Sequence, residues 1–137
     1  MRTVQRLFFI DDDELFVRIA LKIVEGTKLV QDVSVFENGQ TALDYLIEHV
    51  NDSAKLPEVI FLDLSMPVMD GWTFLDKIVP LKLTTHKKIE IYICTSSISP
   101  EDVERAKAIE AVSDYVIKPF TRDKFASIVE NLVMNRD

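Results

Sequence analysis

Four short, mainly apolar runs in this sequence each stop abruptly in a polar group. Leu7-Phe8-Phe9-Ile10 ends in Asp11-Asp12-Asp13-Glu14, Val59-Ile60-Phe61-Leu62 ends in Asp63, Ile89 to Cys94 ends in Thr95-Ser96-Ser97, and Tyr115-Val116-Ile117 ends in Lys118. Carboxylates held at the lip of a core repel one another and are costly to ionise, and the usual remedies are a cation or a raised pKa. Asp11, Asp12 and Asp63 offer oxygen only, with no His or thiolate beside them, so the matching ion is hard. Mg²⁺ suits best, because one or two carboxylates hold it while water and phosphate oxygens complete its shell. Lys118 and Thr95 can hold the other oxygens of a phosphoryl group, and a carboxylate can itself be the nucleophile, forming an aspartyl phosphate.

These groups meet only if the strands that carry them lie side by side and point the same way. Uninterrupted apolar runs bounded by turn residues read as strands buried on both faces, the pattern of a parallel sheet. Between them, Leu15, Phe16, Ile19, Ala20, Ile23 and Val24 recur at helical spacing, with Gly26 where a C-terminal cap would sit. Gln31 to Val35 alternates like a less buried strand, and Asn38-Gly39 starts a helix carrying Ala42, Leu43, Leu46 and Ile47. Gly71 opens a helix that Pro80 ends, and Leu81 to Lys88 reads as a polar, basic loop. Ser99-Pro100-Glu101-Asp102 combines an N-cap hydroxyl, Pro at the first helical position and an acid three residues past the cap. Thr121 caps the last helix, with Phe125, Ile128, Val129, Leu132 and Val133 as its stripe. Five strands alternating with five helices predict an α/β fold, a doubly wound five-stranded parallel sheet with its site beyond the carboxyl ends of the strands.

Composition narrows the function. The chain has 137 residues and a formal charge of −7, which argues against a nucleic-acid binder or an anionic-membrane binder. No apolar run approaches the roughly 18 residues that span a bilayer, and Arg2 and Arg6 precede too little apolar sequence for a signal peptide. The single cysteine, Cys94, fits a reducing compartment, so a cytoplasmic protein is expected.

The order of these motifs resembles the receiver domain of two-component response regulators, the CheY-like family. The matching residues are Asp11-Asp12 after the first strand and Asp63 through Gly71, reading D-x-x-M-P-x-M-D-G, after the third. Thr95 follows the fourth and Lys118-Pro119-Phe120 the fifth. The resemblance covers residues 6 to 135, leaving 1–5 as an N-terminal arm, and implies a flavodoxin-like (βα)5 fold with strand order 2-1-3-4-5. It makes Asp63 the phosphoacceptor, charged by a histidine kinase or histidine phosphotransfer protein. Asp12 and Asp11 would hold Mg²⁺, the latter through water, with Asp63 and the backbone carbonyl of Ser65. Lys118 would pair with the phosphoryl group and Thr95 would swing towards it. Tyr115 would be the aromatic switch that reshapes the face of the fourth helix, fifth strand and fifth helix, and the Lys118-Pro119 bond would be cis. No output domain is expected, so a downstream protein partner would read the switch, in a monomer or weak dimer. The approach to the fifth strand, Ala111 to Asp114, lacks the glycines common in the family, so a different turn is expected there.

Each motif also has a plainer reading. Asp11-Asp12-Asp13 could simply cap a helix, Thr95 could close a strand and Tyr115 could be core. Two other functions compete with a non-enzymatic signalling protein. A haloacid-dehalogenase-like phosphatase needs a second acid two residues past the nucleophile, where Ser65 stands. A flavodoxin-like carrier needs a phosphate loop after the first strand, where four acids would repel the phosphate.

Overall fold

The computed structural model describes residues 3–81, 88–118 and 121–134. In chain order the elements are β1 (Val4–Ile10), α1 (Glu14–Thr27), β2 (Val30–Phe36), α2 (Gly39–Glu48), β3 (Val59–Leu62), α3 (Gly71–Ile78), β4 (Glu90–Thr95), α4 (Pro100–Lys107), β5 (Val112–Ile117) and α5 (Arg122–Met134). The strands form one parallel sheet in the order β2-β1-β3-β4-β5, the doubly wound α/β arrangement expected from the sequence.

Because successive side chains of a strand point to opposite faces, the apolar runs of β1 and β3 feed two cores at once. Phe8, Ile10, Ile60 and Leu62 pack with Leu43 and Leu46 of α2, Phe74 and Leu75 of α3 and Ala106 of α4. Leu7, Phe9, Val59 and Phe61 pack with Ala20 and Val24 of α1 and with Phe125, Val129 and Leu132 of α5. In this second core the Phe61 ring lies 5.4 Å from Phe9 and 5.3 Å from Phe125, centroid to centroid. Central strands locked on both faces hold their carboxyl ends rigidly, and the polar groups follow at those ends.

Several boundaries differ from the sequence expectation. β1 reaches back to Val4, inside the expected arm, because Val4 is fully buried and its N–H donates to the Leu29 carbonyl at 2.7 Å. α1 runs through Gly26 and ends at Lys28, which takes the left-handed conformation (φ 57°) with its N–H on the Glu25 carbonyl. Ala111 to Asp114 is mostly strand. β5 starts at Val112, and the register steps from Ile91↔Val112 to Tyr92↔Asp114, so Ser113 is an extra residue bulged out of an edge strand. Ser99 caps α4 by accepting the Asp102 N–H, and Thr121 accepts the Lys124 N–H at 3.0 Å. The loop expected from Leu81 to Lys88 and the Lys118-Pro119 bond fall largely outside the described residues.

Candidate functional site

Strand register brings the polar ends together. Ile10 pairs with Leu62, Leu62 with Ile93 and Thr95 with Ile117, so the residues that follow all emerge at one edge of the sheet. The Asp63 N–H donates to the Ile10 carbonyl at 2.9 Å and the Lys118 N–H to the Thr95 carbonyl at 2.8 Å, which extends both pairings into the site. Asp11, Asp12 and Asp63 each place a carboxylate oxygen within 4.8 Å of the other two. Asp11 is 3% exposed and Asp63 6%, whereas Asp12 is open to solvent. Lys118 Nζ stands 2.7 Å from Asp11 Oδ2 and 3.6 Å from Asp63 Oδ2. It also lies 4.4 Å from the centroid of the Phe16 ring, a cation–π contact that holds the ammonium over the site.

Local geometry keeps the loops in place. Asp11 Oδ1 accepts the Asp13 N–H at 2.9 Å, and Asp13 in turn caps α1 by accepting the Phe16 N–H at 3.0 Å. The acidic run therefore divides its work: Asp13 is the helix cap, and Asp11 points into the site. After β3 the chain doubles back in a tight turn closed by the Met69 N–H on the Pro67 carbonyl at 2.7 Å, with Val68 at its centre at φ 67°. A β-branched residue in that region is strained and needs surrounding structure to hold it. That support comes from the Gly71 N–H on the Leu64 carbonyl at 2.9 Å and the Gly39 N–H on the Met69 carbonyl at 3.2 Å. Ser65 lies in this loop on the wall of the same cleft, and its N–H faces Asp63 Oδ1 at 3.5 Å.

Burial pushes the Asp11 carboxyl up to about 6, against the hydrogen bonds from Lys118 and the Asp13 N–H that favour its charge. Burial likewise raises Asp63, opposed mainly by the Lys118 charge. Burial works against the Lys118 ammonium too, but Asp11 and Asp63 outweigh it and keep the group above its ordinary value. The Cys94 thiol, beside the site in β4, is also driven up by burial.

A buried, all-oxygen cluster with more acid than base fits a hard divalent cation such as Mg²⁺. An acid raised in the folded state stabilises the fold below its unfolded value of 3.8, and that contribution is lost as pH climbs through about 6. Above that range the ionised pair is a liability that a cation relieves, whereas below it the cation must displace a proton. Mg²⁺ is therefore expected to raise the melting temperature more at pH 7 than at pH 5, relative to a chelator control at each pH. An equal rise at both would place the ion elsewhere.

The remaining expected residues lie nearby but not in the cluster. Thr95 is buried, and its Oγ1 accepts the Ser97 N–H at 3.3 Å. Tyr115 is half-buried and donates its hydroxyl to the Ser97 carbonyl at 3.0 Å; burial raises its phenol. The apolar stripe of α1 is not all core: Leu15 is 66% exposed and Ile19 52%. With Asp12, Phe16, Ile23 and Lys118 they line a cleft of about 480 Å³ that runs from the acids along α1. The stripe was readable in the sequence, but it is wider than the core face of one helix, and that excess width was the available signal for an exposed apolar face. The Phe16 contact with Lys118 joins residues too far apart in sequence for any spacing to reveal it.

The family model of the response regulator receiver domain matches residues 7–130. The chain belongs to that family. The receiver domain is 29% identical over 131 residues to two-component response regulator ORR41 of Oryza sativa subsp. japonica, covering 93% of this chain and 94% of that protein. It is 34% identical over 119 residues to a protein-glutamate methylesterase/protein-glutamine glutaminase of Paramagnetospirillum magneticum, where the match takes in 86% of this chain but spans only 29% of that protein. Among solved structures, a two-component response regulator from Cytophaga hutchinsonii superimposes with a TM-score of 0.82 at 27% identity, over 98% of this chain and all of that one. Among the described residues of the receiver domain, no helix is long and apolar enough to cross a membrane.

Proposed function

We propose that this receiver domain accepts a phosphoryl group on Asp63 in a Mg²⁺-dependent reaction, from a histidine kinase or a histidine phosphotransfer protein. The observation that carries this reading is Lys118, whose ammonium lies within reach of two buried carboxylates at the open end of a cleft. Asp63 is the acid at the tip of the central strand, with its charge neither fully neutralised nor exposed to bulk water. Its carboxylate oxygen attacks phosphorus as the bond to the donor imidazole nitrogen breaks, and the imidazole leaves with the electron pair. Lys118 follows the charge as it spreads onto the phosphoryl oxygens, and Thr95 supplies a hydroxyl to one of them. Asp11, Asp12, Asp63 and the Ser65 carbonyl would hold Mg²⁺, which when bound supplies the positive charge that in-line transfer needs. The chain turns over no separate substrate; it makes and loses only its own acyl phosphate. Its output is a rearrangement of the surface of α4, β5 and α5, with Thr95 and Tyr115 as switch residues, read by a downstream protein in the cytoplasm. Incubation with acetyl phosphate and Mg²⁺ tests the core of this reading: one phosphoryl group per chain by intact mass supports it, and steady turnover of free phosphoesters contradicts it.

The apolar cleft along α1 gives the protein donor a place to rest its histidine-bearing segment beside Asp63. Ile19→Asp places a charge on that surface without touching the acids. It is expected to slow phosphotransfer from the fastest histidine-kinase donor about tenfold or more, as loss of one well-packed interface residue does, while uptake from acetyl phosphate stays unchanged. Equal slowing with both donors would mean that the residue shapes the site itself.

A further inference from the structure

α4 is fastened to the domain with little apolar burial. Of its eight residues only Ala106 is buried, whereas α3, equally long, buries Gly71, Phe74, Leu75 and Ile78. Polar and cation–π contacts make up part of the difference. Ser97 Oγ donates to Asp102 Oδ2 at 2.7 Å, and the Arg105 guanidinium sits 4.3 Å above the Trp72 ring of α3.

Ser97 is the hub of this attachment. Its N–H donates to Thr95 Oγ1 at 3.3 Å, its carbonyl accepts the Tyr115 hydroxyl at 3.0 Å, and its own hydroxyl accepts the Ser99 N–H at 3.3 Å while donating to Asp102. One residue thus joins the end of β4, the first turn of α4 and β5. Thr95 Oγ1 cannot turn towards a phosphoryl group without parting from the Ser97 N–H or drawing the Ser97 peptide with it. Ser97 is itself held by Tyr115 at its carbonyl and by Asp102 at its hydroxyl.

We propose that the Ser97–Asp102 hydrogen bond is a latch that keeps the β4–α4 loop, and with it Thr95, in the arrangement described above, so that its strength sets how readily Asp63 is phosphorylated. This rests on the reading of Asp63 as the phosphoacceptor. Phosphorylation shifts the domain only by favouring one of two arrangements, and a weaker latch enlarges the share of molecules already in the arrangement that lets Thr95 reach the phosphoryl group. Asp102 acts through Ser97 and so is a positioning residue.

Two readouts test the latch together. One is hydrogen exchange of the α4 amides in protein never given a phosphodonor, with the α5 amides as the control for an intact fold. The other is the rate of phosphorylation by acetyl phosphate and Mg²⁺, followed by intact mass. Asp102→Ala is expected to raise both rates about tenfold, the loss of one charge-assisted hydrogen bond, Ser97→Ala, which also frees the Ser99 N–H, at least as much, and the double variant no further than Ser97→Ala alone. Asp102→Asn, which keeps an acceptor oxygen but loses the charge, is expected to fall between wild type and Asp102→Ala. Effects that add in the double variant would show that the two side chains act separately and would overturn the latch. Faster α4 exchange with an unchanged phosphorylation rate would overturn it as well, by showing that α4 is loosened without bearing on Asp63. If wild type and every variant took up no phosphoryl group, the assignment of Asp63 would fall and the latch's control of it too, even where exchange still showed Ser97 and Asp102 to be coupled.

Discussion

Asp63→Asn is expected to take up no phosphoryl group from acetyl phosphate and Mg²⁺, where the wild-type chain gains one. The substitution keeps the shape of the side chain, and the amide removes the nucleophilic carboxylate, so a loss of many orders of magnitude is expected without loss of fold. Indeed the fold gains. Burial raises Asp63, so its ionised form costs stability at neutral pH, and a neutral amide is spared that cost. The variant should thus melt at a higher temperature than wild type at pH 7 in a chelator, and respond less to Mg²⁺. Intact mass reads the first result and thermal melting the second. A residual label on the variant would mean that Asp11 or Asp12, each with a carboxylate oxygen within 4.8 Å of one of Asp63's, carries the phosphate instead.

The largest structural effect is expected at Gly71, a residue that touches no phosphate. A Cβ there would lie 2.4 Å from the Asp63 carbonyl oxygen, 2.9 Å from Leu64 Cα and 3.2 Å from the Asp63 carbonyl carbon. All three are backbone atoms just past the end of β3, where Asp63 stands, and the Gly71 N–H also donates to the Leu64 carbonyl. Nothing nearby can give way as a side chain would. Gly71 has no positive φ, so the requirement is for close approach rather than for an unusual conformation. Gly71→Ala is expected to cost about 3 kcal/mol in urea denaturation, at the upper end of overpacking effects, and to slow phosphorylation by displacing the Asp63 backbone. The same change at Gly26 is the control, because its added Cβ meets only the far end of the Arg122 side chain, at 3.3 Å. A Gly71→Ala protein as stable as wild type would mean that the loop after β3 is free to move, and the positioning argument for Asp63 would fail with it.

The gathering of polar groups at the strand ends was legible in the sequence for a simple reason. A buried parallel strand ends its apolar run at its carboxyl end, so the first polar residue after the run 7–10 and after Val59–Leu62 picks out Asp11 and Asp63 plainly, while Thr95 and Lys118 close strands that carry polar residues of their own. Features that depend on one face of an element were harder to read. Ser113 breaks the alternation of β5 by one residue, and a bulge looks like a turn when only spacing is visible. Leu15 and Ile19 share the helical rhythm of the core residues of α1, and only the excess width of the stripe, not its rhythm, marks part of it as exposed. Gly26 looked like a helix end, but the following Lys28 took the left-handed conformation instead. Contacts between side chains distant in sequence, such as Arg105 on Trp72 and Lys118 on Phe16, leave no periodic trace. The tie between Ser97 and Asp102 is short-range, but both residues already had sufficient reasons to be there, in a strand end and in a helix start.

Cys94 is 1% exposed, and its thiol is held well above the value at which a thiolate would form. Peroxide and disulfide exchange both act on exposed thiolate, so this sulfur is closed to them although it adjoins Thr95. Oxidants that modify surface cysteines elsewhere are therefore expected to pass this thiol by, so the phosphoryl transfer proposed for Asp63 would run without a cysteine-based redox input.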